Sequence, residues 1–118
     1  IDIDAERSVI NYGDVETGAI IELHAIGTVQ VPKITNSNTL ESMTISANMV
    51  DGDSIVINTN RGQKSVMKNN TTNLIGNLTQ DSTWFQLIPG DNVFTISANE
   101  GVNNLVVTFT VDSLFEGV

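Results

Sequence analysis

Apolar residues at every second position are the feature of this sequence that most limits its fold. Leu105, Val107, Phe109 and Val111 alternate with Val106, Thr108 and Thr110. A period of two places alternate side chains on opposite faces of a β-strand. Comparable runs, rich in the β-branched residues that suit a pleated surface, predict further strands at 19–26, 28–35, 40–47, 55–59 and 93–98.

Turn sequences separate these runs. Glycine adopts the positive φ that tight turns need, and aspartate hydrogen-bonds the backbone of its own turn. Strands that recur roughly every 8–12 residues are typical of an antiparallel sandwich or barrel. The pattern therefore predicts an all-β fold, an antiparallel two-sheet β-sandwich around one core. The turn signals are Asp51-Gly52-Asp53, Arg61-Gly62, Pro89-Gly90-Asp91 and Glu100-Gly101.

Three local features add detail to this prediction. Residues 72–80 are predicted to hold one short apolar helical turn, because Gly76 limits its length. Pro32 is predicted on an edge strand, since proline cannot donate to a β-ladder. Trp84 and Phe85 are predicted to be neighbours on one strand, so that their side chains point to opposite sides.

Length and charge limit the classes of partner. A chain of 118 residues suits one domain. Its net charge of −9 repels phosphate groups, so nucleic acid and anionic membrane are not expected partners. No apolar run approaches the ~20 residues of a membrane span. The absence of cysteine excludes disulfides, thiolate nucleophiles and Cys-ligated zinc.

Catalytic chemistry has little support in the sequence. His24 is the one histidine and shares a predicted strand face with Glu22. Side chains two apart on a strand lie ~6.6 Å apart along it, too far for Glu22 to orient His24 as a general base. No G-x-S-x-G elbow occurs, and no second imidazole is available for a metal. We therefore expect no enzyme and no cofactor, with a hydrolase built on Glu22 and His24 as a distant alternative.

Two charged segments are interpreted as structural. Asp51-Gly52-Asp53 resembles the start of a calcium loop, but Ile55 and Gly62 stand where an EF-hand needs ligands, so a plain hairpin turn is expected. Arg61, Lys64 and Lys68 either form a small basic patch or belong to a solvated hairpin, and the hairpin is favoured.

Trp84 is the candidate ligand-binding residue. Its flat apolar face suits a sugar ring, which supports a carbohydrate-binding module as one hypothesis. Aromatic residues make up only 5% of the chain, fewer than a sugar cleft with several stacked rings requires. Packing of Trp84 in the core is therefore favoured over a ligand role.

An ordered set of motifs carries a family resemblance. The motifs are Gly13-Asp14-Val15-Glu16-Thr17, Ile20-Ile21-Glu22, Gly52-Asp53, residues 62–66 (GQKSV), residues 82–92 (STWFQLIPGDN) and Phe115-Glu116-Gly117. Over residues 13–118 the sequence resembles the C-terminal domain of the distal tail protein of long-tailed bacteriophages, a siphovirus tail component.

The resemblance implies a galectin-like or carbohydrate-module-like jelly roll that projects from the tail tip or baseplate of the virion. It implies a non-enzymatic structural role in which the domain docks other tail or receptor-binding proteins. The full-length family protein, made in the host bacterial cytoplasm, is expected to form a hexameric ring through an N-terminal domain.

The domain boundaries follow from the same resemblance. Residues 1–12 are expected to be the remnant of a connection to that N-terminal domain, and residues 13–118 to form the single sandwich. Without the ring-forming domain, the fragment is expected to be monomeric. Recognition of host cell-wall sugars remains the alternative function, and it predicts Trp84 or Tyr12 exposed on a concave sheet.

Overall fold

Ten strands form two antiparallel sheets in the computed structural model, which describes residues 5–111. The strands are β1 (Ala5–Asn11), β2 (Ile20–Ala25), β3 (Val29–Asn36), β4 (Ser42–Thr44), β5 (Asn48–Met49), β6 (Ser54–Asn58), β7 (Ser65–Lys68), β8 (Thr72–Asn73), β9 (Gly90–Glu100) and β10 (Leu105–Thr110). The first sheet has the order β1-β9-β3-β4, with β5 also paired to β3, and the second has the order β10-β2-β6-β7-β8. The predicted two-sheet all-β fold is confirmed.

The core lies between the two sheets and follows the alternation in the sequence. Ile55 and Ile57 on β6 are buried, whereas Val56 between them is only half-buried. Phe94 on β9 stacks on Phe109 of β10 with ring centroids 4.9 Å apart, which joins the two sheets. Phe85 adds a third ring, 5.2 Å from Phe94. Period two therefore identifies the buried faces because each strand has one side on the shared core.

The predicted strand at 40–47 is interrupted, and the interruption explains how a proline, Pro32, is accommodated in β3. β4 ends at Thr44 and β5 begins at Asn48, and both pair with β3. Opposite the gap, the Ile45 amide donates to Pro32 O and the Val31 amide donates to Ala47 O, each at 3.0 Å. The edge-strand prediction for Pro32 is wrong, because β3 lies between β9 and β4–β5. Proline is tolerated there because the ladder bulges and needs no N–H at that point.

The strand predicted at Trp84 and Phe85 is also wrong. Residues 82–86 form no regular strand, and the segment is attached by a bridge between Thr17 and Leu87. The Phe85 amide donates to Thr83 O at 2.8 Å, a local contact that bends the backbone away from a ladder. Phe85 is fully buried, while Trp84 is half-buried and packs against the edge of the same core.

Turn predictions are mostly confirmed. Gly52, Gly62, Gly90 and Gly101 all have positive φ. The short helical turn is a 3-10 turn at Ile75–Asn77. The Asp51–Asp53 turn differs from a plain hairpin, because it joins β5 in the first sheet to β6 in the second. The Phe115-Glu116-Gly117 motif lies outside the described residues.

Candidate functional site

Trp84 lies on the irregular segment before β9 and not on a sheet face. The Lys64 ammonium nitrogen is 6.0 Å from the centroid of the Trp84 ring, a cation–π distance. The half-buried Trp84 side chain packs against the core. This geometry agrees with the favoured packing role and leaves a partly accessible ring, and its role as a ligand site stays a prediction.

His24 has a hydrogen-bond partner on the neighbouring strand and not in Glu22. His24 Nδ1 lies 2.8 Å from Ser54 Oγ across the β2–β6 pair. Glu22 is exposed and lies opposite Val56 and Thr108 of the neighbouring strands. The structure thus gives the histidine a hydroxyl partner that sequence spacing did not identify, since that partner depends on strand register.

Asp53 organises the turn between the sheets. Its carboxylate accepts hydrogen bonds from the Val50 amide at 2.9 Å and from Asn69 Nδ2 at 3.1 Å. Lys68 Nζ lies 3.4 Å from the same carboxylate. The Val50 hydrogen bond, followed by the Asn69 bond and the Lys68 charge, lowers the pKa of Asp53 below its usual 3.8. In the described part of the chain, no three His, Cys, Asp or Glu side chains gather into a group that could hold a metal ion.

The three basic residues near the β6–β7 turn have separate partners. Arg61 forms an exposed 3.6 Å ion pair with Glu16, Lys64 lies over Trp84, and Lys68 contacts Asp53. An exposed pair such as Arg61–Glu16 adds little stability. Since each cation lies beside a different group, the arrangement supports the hairpin interpretation over a single basic patch.

Buried asparagines are structural residues that sequence reasoning missed. Asn11, Asn36 and Asn92 are each at most 1% exposed. Asn11 Nδ2 donates to Val15 O at 3.0 Å and to Leu87 O at 3.2 Å, which ties the segment after β1 to the segment before β9. The signal that could have identified Asn11 and Asn92 is a glycine two residues away, at Gly13 and Gly90.

A groove of about 410 Å³ runs between β1 and β10. Residues 7–10 line one side and residues 106–109 line the other. Two exposed apolar side chains, Ile10 at 43% and Val106 at 41%, lie on its walls. The groove was also missed, because the sequence does not show that these two strands lie beside each other.

No helix within residues 5–111 has the length and apolar character needed to cross a membrane. Polar clusters in this region secure turns and strand ends, and a groove lies between the edges of the two sheets. The class defined by this fold is a small antiparallel β-sandwich of two five-stranded sheets.

The family model for the siphovirus-type tail component, C-terminal domain, matches residues 12–112, and the chain belongs to this family. No curated protein and no solved structure matches it. The resemblance drawn from the ordered motifs is thereby confirmed. The chain is a structural component of a phage tail, located in the virion tail, where it interacts with other tail proteins.

Proposed function

We propose that this domain projects from the distal tail hub at the tail tip or baseplate and docks other tail or receptor-binding proteins. The observation that carries the proposal is the family match over residues 12–112, which includes nearly all of the sandwich. A rigid two-sheet scaffold suits docking because its loops and edges are held in fixed positions. A structural tail-component family also supports the proposal that the domain is non-enzymatic.

Immunogold labelling of virions tests the position. An epitope tag inserted between Gly62 and Gln63 is accessible, since both residues are exposed and no atom lies within 4 Å of a side chain added at Gly62. We expect gold particles at the end of the tail farthest from the head. Label along the tail tube or at the head would contradict the tail-tip proposal.

The domain organisation belongs to the same proposal. Residues 1–12 lead from a ring-forming domain of a longer protein, and residues 13–118 form a galectin-like sandwich. In the described chain, β1 (Ala5–Asn11) already pairs with β9, so the proposed connection enters the sandwich as a strand. The isolated domain is expected to be monomeric and the full-length protein hexameric, which light scattering of both forms measures.

Recognition of cell-wall sugar is the weaker proposal for this domain. It requires Trp84 or Tyr12 on a concave sheet, whereas Trp84 lies on an irregular segment and Tyr12 follows the end of β1. A glycan array with the wild-type chain and Trp84→Ala separates the two functions. Glycan binding that is lost in the folded variant would favour the sugar-binding role.

A further inference from the structure

The groove between β1 and β10 lies between two sheet edges. Among the described strands, β1 pairs with β9 alone and β10 pairs with β2 alone. An unpaired sheet edge presents backbone N–H and C=O groups that can accept another strand. Both edges line the same groove, so one extended segment placed there could reach either sheet.

Backbone direction shows which groups face the open side. Val93 O of β9 accepts from the Ser37 amide on the β3 side. In an antiparallel sheet, the N–H and C=O of one residue point to the same neighbour and alternate along the strand. Ser8 lies opposite Val93, so its own backbone groups point away from β9 and toward the groove.

The same reasoning applies to β10. The Ala25 amide donates to Asp53 O on the β6 side, and Ile26 donates to Asn104 O on the β10 side. Leu23 therefore bonds toward β6 by alternation. Val107, which lies opposite Leu23, directs its backbone groups to the open side. The groove thus has backbone donors and acceptors on both walls.

Arg7 gives the groove its charge. It lies opposite the buried Phe94, and directly opposed residues share a face, so the Arg7 side chain belongs to the side of β1 that faces the second sheet. It is exposed and forms no ion pair within residues 5–111. Beside it, Val9 and Phe109 are half-buried and pack on the core. An apolar floor beside a guanidinium that forms no ion pair within residues 5–111 fits an apolar segment that carries a carboxylate.

We propose that this groove binds one extended segment of a partner protein by strand addition to β1 or β10. Apolar side chains of the segment pack on the half-buried Val9 and Phe109, and a carboxylate of the segment pairs with Arg7. A second copy of this chain is a poor occupant, because two molecules of charge −9 repel each other. The inference rests on the proposed docking function and assigns it a surface and a partner chemistry.

Amide chemical shifts during a peptide titration test this site. The probe is a heptapeptide with blocked termini and the one-letter sequence TVTETVT. In an extended conformation, its two valines and its glutamate share one face. We expect millimolar peptide to shift the amides of residues 7–10 and 106–109. Arg7→Gln should weaken binding about tenfold, the value of a charged hydrogen bond. Arg61→Gln is the matched control and should change the affinity less than twofold.

A second peptide, with glutamine in place of glutamate, completes the comparison. It should bind wild type about tenfold more weakly and should lose nothing further with Arg7→Gln, because the pair has already been removed. Shifts confined to other surfaces, or equal losses for Arg7→Gln and Arg61→Gln, would overturn the proposal. Immunogold label at the tail end with no peptide binding would contradict this inference alone, whereas groove binding with label elsewhere would contradict the tail-tip function alone.

Discussion

Asn92 fixes the turn before β9 by bonding to both of its ends. Its Oδ1 accepts from the Ile88 amide at 3.0 Å, and its Nδ2 donates to Ile88 O at 2.9 Å and to Gly90 O at 3.1 Å. The side chain is fully buried, so its own amide group has no solvent as an alternative partner. The asparagine two residues after glycine is therefore a structural part of the Pro89-Gly90 turn.

Replacing Asn92 with alanine should destabilise the domain by roughly 2–4 kcal/mol. The change removes several hydrogen bonds of about 1 kcal/mol each and leaves the Ile88 amide without its acceptor. Chemical denaturation measures the loss. Asn48→Ala, at an exposed asparagine of β5, is the control and should stay within about 0.5 kcal/mol of wild type. Equal effects of the two substitutions would contradict this role for Asn92.

Gly101 is predicted to tolerate no side chain. Its φ is +83°, and a Cβ at this position would lie 1.9 Å from the backbone oxygen of Thr28. Gly62 has φ +80° but no atom within 4 Å of an added Cβ. Gly62→Ala should therefore show only the conformational penalty of about 1 kcal/mol, whereas Gly101→Ala must also move backbone.

Thermal unfolding of these two alanine variants separates strain from steric overlap. Gly101→Ala should lose at least about 2 kcal/mol more than Gly62→Ala, or fail to fold, since overpacking typically costs 1–3 kcal/mol. Matching melting temperatures for the two variants would show that the contact with Thr28 relaxes without cost.

At the scale of elements, strands were predictable where one face is buried and the ladder is regular. β6 and β10 follow period two closely, because each has a neighbour on the same sheet and a core on one side. Pro32 and the Trp84-Phe85 segment were not predicted correctly. Their conformations depend on a bulge opposite β3 and on local hydrogen bonds at Thr83, which are not encoded by alternation.

The groove could not be predicted from the sequence for a related reason. Arg7 and Phe109 lie far apart in the chain and approach only because β1 and β10 are edges on the same side of the sandwich. Edge position depends on strand order, and a single sequence shows which segments are strands without showing how they are ordered. Trp84, by contrast, was identifiable because it is the lone tryptophan.

The Asp53 turn makes the connection between the sheets sensitive to acid. Because the folded-state pKa of Asp53 is lowered below its usual 3.8, its stabilising contribution is present at pH values above 3.8 and is lost as pH falls through the lower folded value. Asp81, whose pKa is lowered first by the hydrogen bond from Thr79, acts in the same direction. Wild-type stability should therefore fall below about pH 4.

Asp53→Asn should lower the free energy of unfolding at pH 7. It should also reduce the loss of stability between about pH 5 and pH 2, while the loss that comes from Asp81 remains. Urea unfolding at a series of pH values measures both effects. Asp51→Asn in the same turn makes the same charge change, and Asp51 forms no side-chain hydrogen bond in the described part of the chain. If Asp51→Asn reduced the acid-induced loss of stability equally, the effect would come from net charge and not from the hydrogen bonds of Asp53.

At the scale of the whole molecule, three phenylalanine rings connect the structural parts. Phe94 comes from the first sheet, Phe109 from the second, and Phe85 from the segment that enters β9. The chain has no disulfide, so the sheets are held together by packing and by their connecting turns. We therefore expect the two sheets to unfold together in one cooperative transition.

Phe94→Leu tests this coupling, because it removes the central ring and retains an apolar side chain. We expect a loss of about 1–3 kcal/mol, less than the 3–5 kcal/mol of a Phe→Ala change. Trp84 fluorescence reports the segment packed against the core edge, and far-ultraviolet circular dichroism reports the strands of both sheets. The two unfolding curves should coincide in wild type and move together in the variant. If the fluorescence transition moves while the strand signal stays in place, the segment carrying Trp84 unfolds independently and the two sheets do not depend on the central ring.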